Sequence, residues 1–329
     1  PDAEEEVIPV DLTRERIGIT SNFEYKPDDN NRYHLRALYG SFTDHEYRHR
    51  TSVAGDWSAA SQDNGTVTNT ETEVTMKDRE ETQMNWTLSL GGENKIDAWS
   101  IDYNIAYSYA EQDTPDDTEV AYINENLEYS YSGATSDTPS LIETTGDQSV
   151  LSGYEFDGGD TGGQIVEEDA WIFSTNVKKE LDTPFQSFLK TGVHIALRSK
   201  SSDQELYEYD AIPASLDTLE GLTYDGRSTY SGDVPLIAKS TSSPFRAISL
   251  ADMDYNIEDS NAEDYETDEN VYAGYMMGEV NFGRLSLIPG IRVEHTELKA
   301  TGTTFNEDTE EVGSQKAKNS YTNILQIGR

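Results

Sequence analysis

Residues 99–109 read Trp99-Ser100-Ile101-Asp102-Tyr103-Asn104-Ile105-Ala106-Tyr107-Ser108-Tyr109, with an apolar or aromatic side chain at every odd position. Successive side chains of an extended strand point to opposite faces, so this period of two predicts a strand with one greasy face and one wet face. At ~3.3 Å per residue, the run is long enough to cross a bilayer when tilted.

The same alternation recurs along the chain. It appears at Tyr33-Leu35-Ala37-Tyr39, Met84-Trp86-Leu88-Leu90, Trp171-Phe173-Thr175-Val177, Leu189-Thr191-Val193-Ile195-Leu197 and Leu285-Leu287-Pro289-Ile291-Val293. Ile17, Ile19 and Phe23 predict one more strand before Tyr33. Tyr272–Phe282 is strand-like with less distinct faces, and a ninth strand begins near Tyr321.

Connectors turn this set of strands into an architecture. Pro27–Arg32, Gly91–Asp97, Asp182–Gln186 and Phe282–Arg284 are hairpin-sized and rich in Gly, Pro, Asn or Asp. Between them lie long polar stretches, roughly residues 48–80, 111–169, 199–269 and 299–319, read as loops, with a local hairpin expected over Glu119–Tyr131. Tight turns on one side and long loops on the other are the layout of an outer-membrane barrel, and a compact soluble domain rarely carries structureless loops beyond ~15 residues. The expected fold is all-β, a partial transmembrane antiparallel barrel with short periplasmic turns and long acidic extracellular loops. Residues 1–16 are read as a lead-in and 17–329 as the barrel segment.

Composition agrees. Only 35% of the 329 residues are hydrophobic and the net charge is −39, which a filled globular core would not tolerate. Disorder is excluded by 20 tyrosines, 9 phenylalanines and 4 tryptophans gathered in alternating runs. Such acidity repels phosphate backbones, so nucleic acid is not an expected partner. There is no cysteine, hence no disulfide or thiolate chemistry. No stretch approaches the ~18 apolar residues of a membrane helix, and residues 1–16 lack the basic start and apolar middle of a signal peptide. Because the first residue is Pro1, the chain is read as an internal fragment lacking parts at both ends.

Residues 111–169 hold sixteen Asp and Glu and residues 251–270 hold nine, with no Lys or Arg in either. The ordinary meaning is a solvated acidic surface. Asp264, Glu266 and Asp268 offer hard oxygen ligands to calcium, although nothing resembles the twelve-residue loop with its central Gly. His45-Glu46-Tyr47-Arg48-His49 matches the zinc protease pattern, but that pattern needs a helix to bring both imidazoles to one metal. Here the string continues an alternating strand, which would hold the two histidines ~13 Å apart, so no zinc or other cofactor is expected. Asp157–Gly163 lacks the Lys-Ser/Thr of a phosphate loop and is read as a flexible loop. Arg36, Asp102, Arg292 and Glu294 occupy the polar phase of strands whose other phase is apolar, so in a barrel they face a wet lumen where they could touch substrate or a plug. With no nucleophile elbow or βαβ rhythm, no enzyme is expected.

Ile17–Arg50 (IGITSNFEYKPDDNNRYHLRALYGSFTDHEYRHR) and Glu269–His295 (ENVYAGYMMGEVNFGRLSLIPGIRVEH) resemble barrel segments of TonB-dependent receptors, particularly the branch called the Caulobacter type. The features that carry it are N-x-E-Y-K-P-D before a tight turn, Y-x-x-F-x-D-x-E-x-R after it, and I-P-G-x-R-x-E near the far end. The resemblance implies a 22-stranded barrel closed by an N-terminal plug in the Gram-negative outer membrane. It further implies import of a scarce nutrient such as an iron chelate, cobalamin or oligosaccharide, energised by the TonB complex through a plug segment not present here. The alternatives are a passive porin or adhesin barrel and a secreted, soluble β-rich carbohydrate-binding protein or hydrolase.

Overall fold

The computed structural model describes residues 5–7, 10–136, 140–209, 219–222, 234–237, 239, 242, 246, 253–306, 309 and 311–327. Nine long strands dominate: β1 (Val10–Asp28), β2 (Asn31–Ala59), β3 (Asn64–Ile96), β4 (Trp99–Asn124), β5 (Glu155–Leu181), β6 (Ser187–Tyr209), β7 (Tyr265–Phe282), β8 (Gly290–Asn306) and β9 (Glu311–Ile327). Each pairs antiparallel with its sequence neighbour, in the order β1 to β9. Short strands added to them make one sheet of 14, and Leu219–Leu222 with Val234–Ile237 forms a separate ribbon. The sheet is an open wall. Among the described strands, β1 and β9 each lack a second long neighbour.

The tight turns form where turn chemistry demands them. Between β1 and β2, the Asp28 carboxylate accepts from Asn30 N–H and Asn31 Nδ2, both at 2.8 Å, an Asx turn that needs no longer loop. Asp97, at the β3–β4 turn, adopts a left-handed φ of 51°, a conformation Asp tolerates better than most residues. At the β7–β8 end, Pro289 has no N–H for the ladder. The predicted strand there is accordingly split into Leu285–Leu287 and β8.

The two faces of the wall differ as the alternation predicts. Phe23, Leu35, Leu90, Ile105, Phe173, Ile195 and Tyr272 line up as one cross-strand row, and Phe23 is 64% exposed and Leu90 55%. In water so much exposed apolar surface would drive aggregation; against hydrocarbon it is the stable arrangement. On β8 and β9 the same row continues as His295 and Thr322. The apolar band therefore crosses the hydrogen-bond ladder obliquely, as tilted barrel strands require. Trp86, Tyr107 and Trp171 sit at one edge of the band, with ring centroids 5.2 and 4.7 Å apart. At the turn edge, Lys179 Nζ lies 4.8 Å from the Trp99 ring centre. These are the aromatic girdles of a membrane wall.

A charge placed mid-band tests this orientation. Val193 is 50% exposed near the middle of β6's apolar run. Val193→Arg is expected to cost about 2–4 kcal/mol in reversible folding into lipid vesicles, while a charge on its lumen-facing neighbour should cost far less.

The strands run well beyond the membrane, and several expected loops are corrected accordingly. β3 has 33 residues, whereas ~9–11 suffice to cross a bilayer. Residues 48–80 are mostly strand, turning at 60–63, and β8 and β9 fill most of 299–319. β1 begins at Val10, before the apolar alternation starts, so Val10–Arg16 is strand and not lead-in. Glu119–Tyr131 is not a self-paired hairpin: Glu119–Asn124 belongs to β4, while Glu128–Ser132 pairs with Ser140–Thr145 and with Asn64–Val67. Asp157–Gly163 lies inside β5. Its glycines admit close neighbours, since a Cβ on Gly162 would stand 2.3 Å from the Glu205 carbonyl oxygen. These stretches are rich in polar and acidic residues, so the short alternations they do carry, as at Val74 and Met76, do not stand out as membrane strands do.

The densest packing lies outside the membrane. Val53, Val74, Met76, Val120, Tyr129 and Leu141 are at most 1–2% exposed. They form a cluster between the outward face of the β2–β5 extensions and a covering layer that includes Leu127, Tyr129, Leu141, Tyr154 and Ile237. Tyr129 OH holds Thr72 Oγ1 at 3.1 Å and Gln148 Oε1 at 3.3 Å, which satisfies its hydroxyl inside that cluster.

Candidate functional site

The concave, polar face carries two regions that could meet a solute. The lower lies level with the apolar band. Here Glu93, Asp102, Asn176, Gly192, Tyr275 and Arg292 form one cross-strand row. Asn176 Nδ2 donates to Asp102 Oδ1 at 2.5 Å, and Tyr275 OH donates to Asn176 Oδ1 at 2.7 Å. Arg292 Nη2 lies 2.7 Å from Glu294 Oε2. The wall thus joins Asp102 to Asn176 and Tyr275, which periodicity alone did not single out, while Arg292 and Glu294 form a separate pair beginning at the ladder position opposite Tyr275. Arg36 stands apart from them, exposed between Asn22 and Ser89. Next to it, Ser89 Oγ donates to Asn104 Oδ1 at 2.7 Å, and His34 Nε2 lies 3.3 Å from the same oxygen.

The upper region is a vestibule above the membrane. A six-residue helix, α1 (Ile257–Ala262), interrupts the return strand between Tyr255, paired with Tyr207, and Tyr265, paired with Ser202. Asn256 caps it by accepting from Asp259 N–H at 2.8 Å, satisfying an otherwise orphaned donor. Ser260 Oγ then accepts from Leu206 N–H at 2.8 Å, and Gln204 Nε2 donates to the Asp259 carbonyl at 3.2 Å. Pinned this way, α1 leans over the polar face and closes a groove of about 430 Å³, within the usual range of small-molecule sites. Lys77, Arg79, Asp117, Glu119, Asp160 and Gln204 contribute to its walls. Lys77 pairs with Asp117 at 2.9 Å and Arg79 with Glu46 at 3.1 Å, so both cations are already neutralised.

Asp160 is the outlying acid of the groove. Burial, and then the neighbouring Glu119 charge, push its carboxyl up to about 7, against the opposing pull of Lys77. A carboxyl whose folded-state pKa is raised favours folding most when protonated. Its contribution is therefore full below pH ~4 and is lost as pH rises toward 7. The β4–β5 extension should tighten on acidification by something on the order of 1–3 kcal/mol, less than the full shift implies because water reaches the groove. Asp160→Asn should flatten that dependence, as read by amide hydrogen exchange between pH 4 and 7.

The calcium candidates do not converge. Asp264 Oδ1 accepts from Gln204 N–H at 2.9 Å and Asp268 Oδ1 from Ser199 Oγ at 3.2 Å. Glu266 lies between them on the extended run into β7, where like-facing residues are ~7 Å apart. Among the described residues no group of three or more His, Cys, Asp or Glu is placed to hold a metal. The string His45–His49 is β-strand, as expected. His45 Nε2 bonds Asp78 Oδ1 at 2.8 Å, while Glu46 points to the opposite face and pairs with Arg79. Burial holds the His49 imidazole below its ordinary pKa.

The model of a family described as outer membrane protein beta-barrel matches residues 236–325. No curated protein matches the chain. Among solved structures, the ferric-catecholate import receptor Fiu from K12 E. coli, in its closed form, is similar over 99% of this chain and 47% of that one, at 11% identity and a TM-score of 0.44. The chain therefore spans about half the length of that structure, and a likeness at this level assigns no activity. Nine tilted antiparallel strands, a lipid-facing apolar band and the barrel-family match place this chain in the outer membrane of a Gram-negative bacterium, as part of a β-barrel wall.

Proposed function

We propose that this wall belongs to a TonB-dependent receptor that actively imports a scarce nutrient. The observation that carries this reading is the resemblance of residues 17–50 and 269–295 to such receptors, two stretches that fold as the β1–β2 and β7–β8 hairpins. A polar lumen face already organised by hydrogen bonds agrees with it, since a passage lined this way can hold a solute or a plug. The protein binds and gates, and no residue performs covalent chemistry. Groove walls rich in carboxylates disfavour a strongly anionic ligand, so a carbohydrate or a neutral chelate is preferred over a polyanionic one.

The test is to express the complete gene with its native signal in a Gram-negative host and follow heat-modifiable migration on unboiled gels. Outer-membrane insertion together with uptake that stops when the energy-coupling complex is deleted supports the receptor. Uptake that continues unchanged identifies a passive barrel, and a soluble periplasmic product rules out both.

A further inference from the structure

His49 is a buried titratable group that nutrient import does not use. It lies on β2, ten residues beyond Tyr39 on the same outward face, which at a ~40° tilt places it ~25 Å further from the membrane. The acidity of the surrounding medium therefore reaches it. β2 is paired on both sides here, with β1 as far as Arg48, with Glu5–Val7 from Thr51 onward, and with β3 throughout. His49 is only 6% exposed, and Met76, fully buried, stands directly opposite it on β3.

Two anchors of the covering layer meet beside this imidazole. Tyr47, the previous outward residue of β2, stands opposite Asp78 in the ladder. Lys239 Nζ lies 4.9 Å from the Tyr47 ring centre and pairs with Asp11 of β1. A short step along the chain, Ser242 Oγ lies 2.6 Å from Asp78 Oδ2, and Arg246 Nη1 lies 3.1 Å from the same oxygen. Among the described residues, the charged and titratable groups around His49 are thus Asp11 from β1, His45 and Asp78 from β2 and β3, and Lys239 and Arg246 from the covering layer. Lys239 already takes Asp11, and Arg246 already takes Asp78. No spare acid is left for a further positive charge.

A neutral ring suits this place and a charged one does not. Neutral imidazole can leave Nδ1 as a bare acceptor, whereas imidazolium must donate from both nitrogens. Nδ1 is enclosed and meets no hydrogen-bond partner among the described residues, and a buried charged donor without an acceptor is costly. Burial first, and then the Lys239 charge, hold the imidazole below its ordinary pKa, against the opposing pull of Asp11. A histidine held neutral stabilises the closed packing fully above pH ~6.5 and progressively less below it, because the opened form takes up the proton first.

We propose that His49 is an acid-sensitive latch, whose protonation in a mildly acidic medium loosens the covering layer from β2 and β3 at the Lys239 and Asp78 anchors. The response needs only a folded wall facing the medium, so it stands whether import is energised or passive. It is opposite in sign to the tightening expected at Asp160, which lies on the other face of the wall.

The experiment follows amide hydrogen exchange by mass spectrometry on the complete protein, extracted from outer membranes in mild detergent. Protection factors, which remove the intrinsic pH dependence of exchange, are compared at about pH 7.5 and about pH 5.5. In wild type, Thr51–Val53 and Val74–Met76 should lose protection at least ~fivefold on acidification, within the ~tenfold per pH unit that one proton allows. His49→Phe, which keeps a buried ring without a titrating nitrogen, should change less than ~twofold. His49→Gln, smaller and also neutral, should behave alike and guards against overpacking by the phenylalanine. Both are expected to keep heat-modifiable migration. His45→Gln leaves His49 in place and should retain the wild-type loss. Constant protection in wild type overturns the proposal, as does a loss that survives in either folded His49 variant. A loss that disappears in His45→Gln also overturns it, by assigning the response to the Asp78 pair.

Discussion

Replacing Asp78 by alanine is expected to release the layer that covers the outward face of the barrel extensions, at a cost of about 3–5 kcal/mol, the range for breaking a buried ion pair from one side. Asp78 is 1% exposed. One carboxylate oxygen meets His45 Nε2 at 2.8 Å, and the other meets Ser242 Oγ at 2.6 Å and Arg246 Nη1 at 3.1 Å. Arg246 also donates to the Asp78 carbonyl at 3.0 Å and, through Nε, to Thr118 Oγ1 at 3.3 Å. Residues from β2, β3, β4 and the segment before β7 therefore converge on one acid. Removing it leaves a guanidinium half-buried without its counter-ion, whereas Asp78→Asn keeps the shape and should cost less. Faster hydrogen exchange at Val74–Asp78 and new tryptic cleavage at Lys239 and Arg246 would report the release. Glu80→Ala, a change at an exposed neighbour on the same face, is the control and should stay within ~0.5 kcal/mol. If Asp78→Ala behaves like that control, Asp78 does not hold the layer. Insertion should be unaffected in either case, because the apolar band lies below this site.

All nine long strands are legible in the sequence because the bilayer imposes an alternation that no other environment demands so strictly. Trp99–Tyr109 shows it in its cleanest form, with hydrocarbon on one side and water on the other. Above the membrane that constraint lapses. β3 continues upward through Glu73, Val74, Thr75, Met76 and Lys77, and β4 through Glu119, Val120, Ala121 and Tyr122. These runs do alternate, and they are the available signal for the extracellular cluster. They are masked by sixteen acids across 111–169, which read as loop. The groove is less legible still. Its members come from β3, β4, β5, β6 and α1, and only the register of five elements reveals that Lys77, Asp160 and Gln204 share a wall. Phase places Asp102, Arg292 and Glu294 on the polar face of their strands, but the connection of Asp102 to Asn176 and Tyr275 needs the cross-strand pairing.

That connection sets up the second large effect, at Gly192. The glycine sits in register between Asn176 on β5 and Tyr275 on β7, so the two side chains meet directly above its backbone. A Cβ built there would lie 2.2 Å from Asn176 Oδ1, 2.6 Å from Tyr275 Cε1 and 2.8 Å from the Thr175 carbonyl oxygen. The first two contacts could be relieved by moving side chains, but the third is backbone within a paired ladder and cannot give way without opening it. Glycine is thus held here by close approach, with the Tyr275 ring covering the gap a side chain would fill. Gly192→Val is expected to separate Tyr275 from Asn176, leave the Asn176 amide oxygen without its donor, and destabilise the wall by several kcal/mol through overpacking combined with lost hydrogen bonds. Heat-modifiable folding should fall sharply. Tyr275→Phe, which removes only the hydroxyl, should fold normally and lose about 1 kcal/mol. The pair of variants separates packing from bonding. If Gly192→Val inserts as efficiently as wild type, the β5–β6–β7 register is wrong. If Tyr275→Phe proves as damaging as the valine, the hydrogen-bond chain and not the close approach is what fixes this part of the lumen.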